Sequence, residues 1–587
     1  MTKVLFVPKT FNTYADPLRL LGLARLVEDA LLQTRQEQNI QLINAGTHYR
    51  LELKSAIDLD KVAQMPYSTP FLPVKGAKTQ WDKMPPNVAY FDVEENKQQR
   101  KLFREYQIHT RGSKEWNEEV PKPPDARSQN GVILTSLRPN PDRNHNGLWQ
   151  ESWKIREQYG EFLSTIFQAL SQPHNEIPLQ QIAKKISLPK PASAVKLYQP
   201  VATQGVNQLK ADSISFKSQT MDWLSLWLIA NGFFEFALCD RVKVADKTYD
   251  WRVVVLEPYD IALPGYRLVL DKLRIYNPPS SGYGIACFDA ELVLKFYQEQ
   301  LNYHRAKIQD NPNEFSFFTQ PNNNLIQGFS GAQFNSKGQV HGVKTIFNLG
   351  LPAWIQPQNY QELGNYSEVI DEHLKTICFL ANQKDENGQL LNLYRNFITG
   401  INIYQFFPFQ SRYADYCVKK YANADFQKDK LQLPALFTTK GLNLMTKKDS
   451  SISKITSDSS FLRIAKAINH ATIHAGKIKT KEGVKDLDWQ RQYGLAQQIS
   501  SQSGSRRELI AAIAEFLGKY EHENLRLQEQ YLKENKSLFR VQPTKEDIDR
   551  LIEIIEENDP VLVGNLLIAY GYARWPSTQE KPDSTET

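Results

Sequence analysis

The sequence predicts an α+β protein: a mixed α/β body over residues 1–435, then an all-α helical bundle over residues 461–575. Three observations predict this. Up to about Leu433, short β-branched and aromatic runs alternate with helix-period segments. The stretch "TTKGLNLMTKKDSSISKITSDSS" (438–460) shows no apolar period and reads as a Ser/Thr/Lys linker over 436–460. Beyond it, apolar residues recur at three- and four-residue spacing almost to the frayed tail, 576–587.

The elements follow in order. Val4 to Val7 read as a short buried strand. Asp16-Pro17 reads as an N-cap and first-turn proline for a helix carrying Leu20, Leu23, Ala24 and Val27. "IQLINAGTHYRLEL" reads as a hairpin around an Asn-Ala-Gly turn. Prolines crowd residues 66–141, which include a basic, aromatic-punctuated stretch from Lys75 to Arg111; residues 180–208 are a second proline-punctuated connector. "WLSLWLIANGFFEFALC" (223–239) reads as a buried helix ending near Gly232, then a strand. Residues 236–276 look strand-rich. Ala290 to Arg305 is helical, and "FTQPNNNLIQGFSGAQFN" (318–335) is an amide-rich loop. Helical periodicity dominates from Tyr366 to Tyr421, broken at Pro408. In the bundle, Phe461, Ile464, Ala465 and Ile468 share one face, with Gly476 as the stop. Thr544 and Asp547 form a capping box before Ile548, Leu551, Ile552 and Ile555, and Asp559-Pro560 opens a last helix.

Length and composition set bounds. A chain of 587 residues exceeds one hydrophobic core, so more than one domain is expected. Cys239, Cys287, Cys378 and Cys417 are far apart, with no CxxC and no Cys/His cluster, a spacing suited to a reducing, cytoplasmic setting. The N-terminal apolar run is too short for a signal peptide, and the 223–239 run is interrupted too often to span a bilayer, so no membrane partner is expected. The net charge of +6 is mild but uneven. Lys419 to Lys485 holds 14 Lys/Arg against 5 Asp/Glu, a net of +9, whereas Val541 to Thr587 holds 4 against 10, a net of −6.

Motifs of catalysis are scarce. GxxxxGK[ST], HExxH and GxSxG are absent, and "SGYGIAC" (281–287) lacks a third glycine. His470 and His474 are four residues apart and could share a metal ion, but lack a nearby acidic partner; "DRNHNG" (142–147) reads as a turn. The expectation is therefore no catalytic residue, no cofactor and no metal, with a metal-dependent nuclease as the alternative of another class and a helical scaffold as a third. Nucleic-acid binding fits the residue types better. Backbone phosphates call for Lys and Arg, here Lys75, Lys78, Lys83, Arg111, Lys114, Arg463, Lys466, Lys477, Lys479, Arg506 and Arg507. Amides present a donor and an acceptor to base edges, so Asn322, Asn323, Asn324, Gln327 and Gln333, with Lys337, are candidate readers of a short DNA motif.

The strings "FLRIAKAINHATIHAGKIKTKEGVKDLDWQRQYGLAQQI", "RRELIAAIAEFLGKYEHENLRL" and "VLVGNLLIAYGYARW" resemble the C-terminal helical part of the large subunit of type I CRISPR Cascade complexes, closest to the I-B group common in cyanobacteria. "NTYADPLRLLGLARLVEDAL" resembles the start of that family. The resemblance covers roughly the last 130 residues and the first 35. It implies a noncatalytic, antiviral-defence subunit at the crRNA 5′-handle end of the complex. Such a subunit reads the protospacer-adjacent motif in double-stranded DNA, aids duplex opening and R-loop formation, and helps recruit the helicase-nuclease. Its helical part is similar to the small subunit. The implied partners are crRNA, target DNA, the backbone and handle-binding subunits, the small subunit, and the helicase-nuclease or, in a transposon-associated version, transposition factors. Relatives can make a separate small subunit by internal translation, and Met445 is the candidate start here.

Overall fold

The computed structural model describes residues 2–111, 119–172, 189–190, 192–193, 195–202, 220–245, 247–276, 284–310, 325–338, 340–382, 388–423, 433–480, 483–534 and 538–576. The fold is α+β, built as two compact units: residues 1–285 with 302–350, and residues 286–301 with 351–587. The boundary thus falls near residue 350, not 435.

In the first unit, β1 (Thr2–Pro8), β2 (Ile40–Asn44) and β3 (His48–Ile57) form an antiparallel sheet in the order β1-β3-β2, extended by a short strand at Asp260–Ala262. The expected hairpin is β2–β3. Helix α1 (Ala15–Gln33) packs against α4, which runs from Trp223 to Phe236, past the expected stop at Gly232. Gly22 and Gly232 make that packing possible. A Cβ on Gly22 would lie 1.9 Å from the Leu228 carbonyl oxygen, and one on Gly232 would lie 1.9 Å from that of Leu18. Asp16 is not the N-cap, since Tyr14 occupies that position. Its carboxylate instead accepts the backbone N–H groups of Thr10, Phe11 and Asn12 at 2.8–3.1 Å. Between these helices the chain forms α2 (Val93–Arg111) and α3 (Asp142–Lys154), so "DRNHNG" is the start of a helix, not a turn.

A second antiparallel sheet combines β4 (Leu238–Ala245), β5 (Thr248–Pro258), β6 (Ile326–Lys337) and β7 (Val340–Leu349) in the order β7-β6-β5-β4. Two expectations change here. The described part of the amide-rich segment is a strand paired on both sides, because Phe329, Gly331 and Gln333 alternate with Ser330, Ala332 and Phe334 across two faces. And "LPGYRLVLD" is a helix, α5 (Leu263–Asp271), with proline in its first turn, so the strand-rich region ends near residue 262.

Among its described residues the second unit is helical apart from one hairpin. It takes residues 286–301 of α6 (Ile285–Asp310) with α7 (Tyr360–Asn382), α8 (Gly388–Ile398) and α9 (Phe406–Ala422). Pro408 sits in the first turn of α9 and breaks nothing. The supposed linker is α10 (Thr439–Thr446) and α11 (Ser450–Thr456), followed by α12 (Ser459–Ala471). Thr438, Asp449 and Asp458 each accept a backbone N–H from the first turn that follows. The Ser/Thr/Asp richness is therefore helix capping, repeated at short intervals. Leu442, Met445, Ile452 and Ile455 are buried.

After α12 come the hairpin β8 (Lys477–Thr480) and β9 (Gly483–Asp486), then α13 (Leu495–Gln502), α14 (Arg506–Lys533), α15 (Lys545–Glu557) and α16 (Pro560–Gly571). The capping box at Thr544 and Asp547 is formed, and Asp559 caps α16. Helix α9 packs on both α13 and α16, and Phe437 and Thr439 share backbone hydrogen bonds with Arg574. Residues 351–435 therefore belong to the same core as the expected bundle. No helix among the described residues is long and apolar enough to cross a membrane.

Candidate nucleic-acid interface

In the first unit, the segment from Leu72 to Thr79 is held by the opening turns of α3. Asn146 accepts the Val74 N–H at 2.8 Å and donates to the Val74 carbonyl at 2.9 Å; the Thr79 hydroxyl donates to Asp142. His145 lies within 2.9 Å of the Leu72 carbonyl and 2.7 Å of the Tyr198 hydroxyl, and burial pushes its pKa down to about 4. Those polar side chains fix the loop in place. On it, Lys75 Nζ sits 5.0 Å from the Tyr90 ring centroid and 5.8 Å from that of Trp81, and the two rings are 4.8 Å apart. Lys78 and Lys83 are exposed nearby in sequence. Arg111 ends α2, and Lys114 lies outside the described residues.

The amide group divides. Asn322, Asn323 and Asn324 lie outside the described residues. Gln327 is at the start of β6, where its side-chain oxygen accepts from the Asn44 side-chain amide at 2.5 Å, an exposed contact. Gln333 is buried and donates to the Asp250 carboxylate, so it is unavailable to a base edge. That is a correction to the motif-reading set. The reason is register: Gln333 pairs with Arg252 across the ladder, on the face that carries Asp250 and Phe347. There Arg252 lies 3.6 Å over the Phe347 ring centroid and Lys344 reaches Asp250 at 3.7 Å. Lys337 closes β6 opposite Val340, beside Gly338, whose φ of +76° turns the hairpin.

In the second unit the expected cations separate into three places. Arg463, on α12, pairs with Asp547 at 3.4 Å in the first turn of α15. Arg506 Nε donates to the Ile555 carbonyl at 3.2 Å, near the other end of α15, so the two arginines meet that helix roughly 12 Å apart along its axis. Arg507 is exposed beside Arg506 in the first turn of α14. Lys477 is cross-strand partner to Asp486, and Lys479 pairs with Val484 in the same ladder.

Lys466 belongs to a different group, one that sequence reading missed in part. His470 and His474 have ring centroids 5.4 Å apart, although α12 ends at Ala471 and they do not share its face. Trp489 Nε1 donates to the carbonyls of both histidines, and His470 Nδ1 accepts the Val541 N–H at 3.1 Å. That fixes the His470 proton on Nε2. Phe539 packs on His474 at 6.0 Å and on Trp489 at 5.4 Å, yet its side chain stays 52% exposed. Lys485 Nζ is 5.9 Å from the Phe539 ring centroid, and Lys466 Nζ is 5.7 Å from that of Trp575. Arg540 is sandwiched between Trp489 and Tyr520 and is paired with Glu523. Arg491 is tied to the Thr472, Ile473 and Ala475 carbonyls.

The electrostatics of the histidine pair are one-sided. Burial, then His474, Lys466 and Arg540, push His470 down to about 3; burial, then Arg491, Lys485 and Lys466, lower His474. A neutral pair held by Trp489 and Val541 braces this surface. Among the described residues, no three His, Cys, Asp or Glu side chains are placed to hold a metal ion.

Met445, the candidate internal start, is buried, with its sulfur 3.3 Å from His373 Nε2. His373 is enclosed by Trp354, Tyr394, Phe397 and Phe437, and burial pushes it down to about 3. No family model matches the chain, and no curated protein sequence matches it.

Proposed function

We propose that this chain is the noncatalytic large subunit of a type I, I-B-like CRISPR Cascade complex. In this reading it holds crRNA and target DNA, reads the protospacer-adjacent motif, assists R-loop formation, and offers a docking surface to the helicase-nuclease. One observation carries the reading. The string from Phe461 onward, one of those that carry the family resemblance, supplies Lys466 and Lys485, which have no carboxylate partner among the described residues, and the His470, His474 and Trp489 that back the exposed Phe539 ring. Cations beside an aromatic platform match a polyanionic strand. The Lys75, Lys78 and Lys83 loop offers a second such surface in the first unit.

Motif reading falls to Asn322, Asn323, Asn324, Gln327 and Lys337, with Gln333 removed from the set. Guide pairing delivers most of the specificity in such a complex, so a few amides suffice for the remaining bases. The test is copurification from a host expressing the neighbouring genes and a CRISPR array. A tagged chain is expected to carry crRNA of uniform length; recovery without RNA overturns the proposal.

A further inference from the structure

We infer that Phe539, Lys485 and Lys466 form a subsite for an unpaired nucleotide of a single strand, with the base stacked on the Phe539 ring and its flanking phosphates against the two lysines. The inference rests on the nucleic-acid reading above and makes it specific: the ligand is single-stranded, and it is read without sequence preference.

The ring is half-exposed but not loose. His474 meets it edge-on at 86°, and Trp489 packs at 5.4 Å, so the exposed side is a fixed platform. A fixed ring loses little conformational freedom when a base lands on it. A base inside a duplex already has both faces stacked, so only an unpaired one can use the platform.

The charge pattern agrees. Among the described residues, neither Lys485 nor Lys466 has a carboxylate partner. Asp486, next to Lys485, points to the opposite face of the hairpin, where Lys477 is its cross-strand partner. Glu523 is engaged by Arg540. Lys485 therefore lies beside the ring, Lys466 acts on the two histidines that back it, and Asp486 and Glu523 are turned away or engaged.

The test uses the full chain and a labelled thymidine homopolymer, read by fluorescence anisotropy across a salt series. Phe539→Ala is expected to weaken binding on the order of 10-fold, with the salt slope retained and duplex binding unchanged. Phe539→Trp is expected to restore wild-type affinity. Lys466→Ala with Lys485→Ala is expected to flatten the slope of log K against log salt by about 1.4. The inference is overturned if Phe539→Ala binds the homopolymer like the wild type, if it loses duplex binding equally, or if the wild-type chain does not bind. Should Phe539→Ala unfold, the lysine pair decides alone, and an unchanged slope overturns the inference. Because crRNA copurification with the Phe539→Ala chain is scored separately, the subsite can fail while the proposed function stands.

Discussion

Two clusters of charge and aromatic rings, one in each unit, use similar residues to opposite ends. On the β5–β6–β7 face, Arg252 lies on Phe347, Gln333 donates to Asp250, and Lys344 reaches the same carboxylate. Cation, anion, amide and ring close on one another. Around His470 and His474, burial and then the cations Lys466, Lys485, Arg491 and Arg540 act on the pair, and the ring beside them, Phe539, is left half in solvent. The first arrangement is complete without a ligand and serves the fold. The second has charge left over, which is what a strand of phosphates requires.

The comparison can be broken most forcefully by acid. His470 titrates at about 3 in the folded chain against an ordinary 6.5, so below pH 6.5 the unfolded chain binds the extra proton. Stability is therefore expected to be full above pH 6.5 and to fall as the pH drops toward 3, with His470 contributing on the order of 4 kcal/mol. Urea midpoints across pH check this, and His470→Asn is expected to flatten the decline. An equally steep decline in the variant would show that burial and the cations around it do not hold this histidine neutral.

Next comes Gly331, which makes room for Phe347 beneath Arg252. An added Cβ would lie 2.4 Å from both Phe347 Cζ and the Val253 carbonyl oxygen, and Gly331→Ala is expected to cost about 3 kcal/mol. Gln333→Ala removes a donor from buried Asp250 and is expected to cost about 2 kcal/mol while leaving the salt dependence of DNA binding alone. A normal melting temperature with weakened DNA binding would reverse the assignment and return Gln333 to the reading set. Asn323→Ala or Asn324→Ala is expected to weaken guide-dependent binding to motif-bearing duplex by ~1–3 kcal/mol, measured by gel shift with the assembled complex. Smallest in stability is the Lys466→Ala, Lys485→Ala pair, expected to change the unfolding free energy by under ~0.5 kcal/mol.

Much of the fold was legible. The β2–β3 hairpin, the Thr544–Asp547 capping box, the Asp559-Pro560 helix start and the buried face of Phe461, Ile464 and Ile468 are local patterns, and local patterns survive in sequence. The misread linker was also local, but Thr438 and Asp449 spend the Ser/Thr/Asp signal on capping helices of 8 and 7 residues, too short for apolar periodicity to stand out. What stayed hidden is long-range. Gln333 meets Asp250 from 83 positions away, and nothing in "SGAQF" marks the amide as spent. Phe539 sits 65 positions from His474, in a string with no basic run around it. Met445 likewise looked like a linker methionine, yet it packs against His373, 72 positions earlier. A product starting there would lack α7, α8 and α9, which share its core, so the isolated 445–587 fragment is expected to show no cooperative melting transition.

The central claim is that this chain holds strands for a guide RNA and breaks no bond. Its most direct test is to assemble the guide ribonucleoprotein with and without the chain and to measure binding to motif-bearing duplex and to the complementary single strand. The expected result is that omission abolishes duplex binding while pairing with the single strand persists. Duplex binding that is indifferent to the chain, or cleavage of DNA by the chain alone, would contradict it.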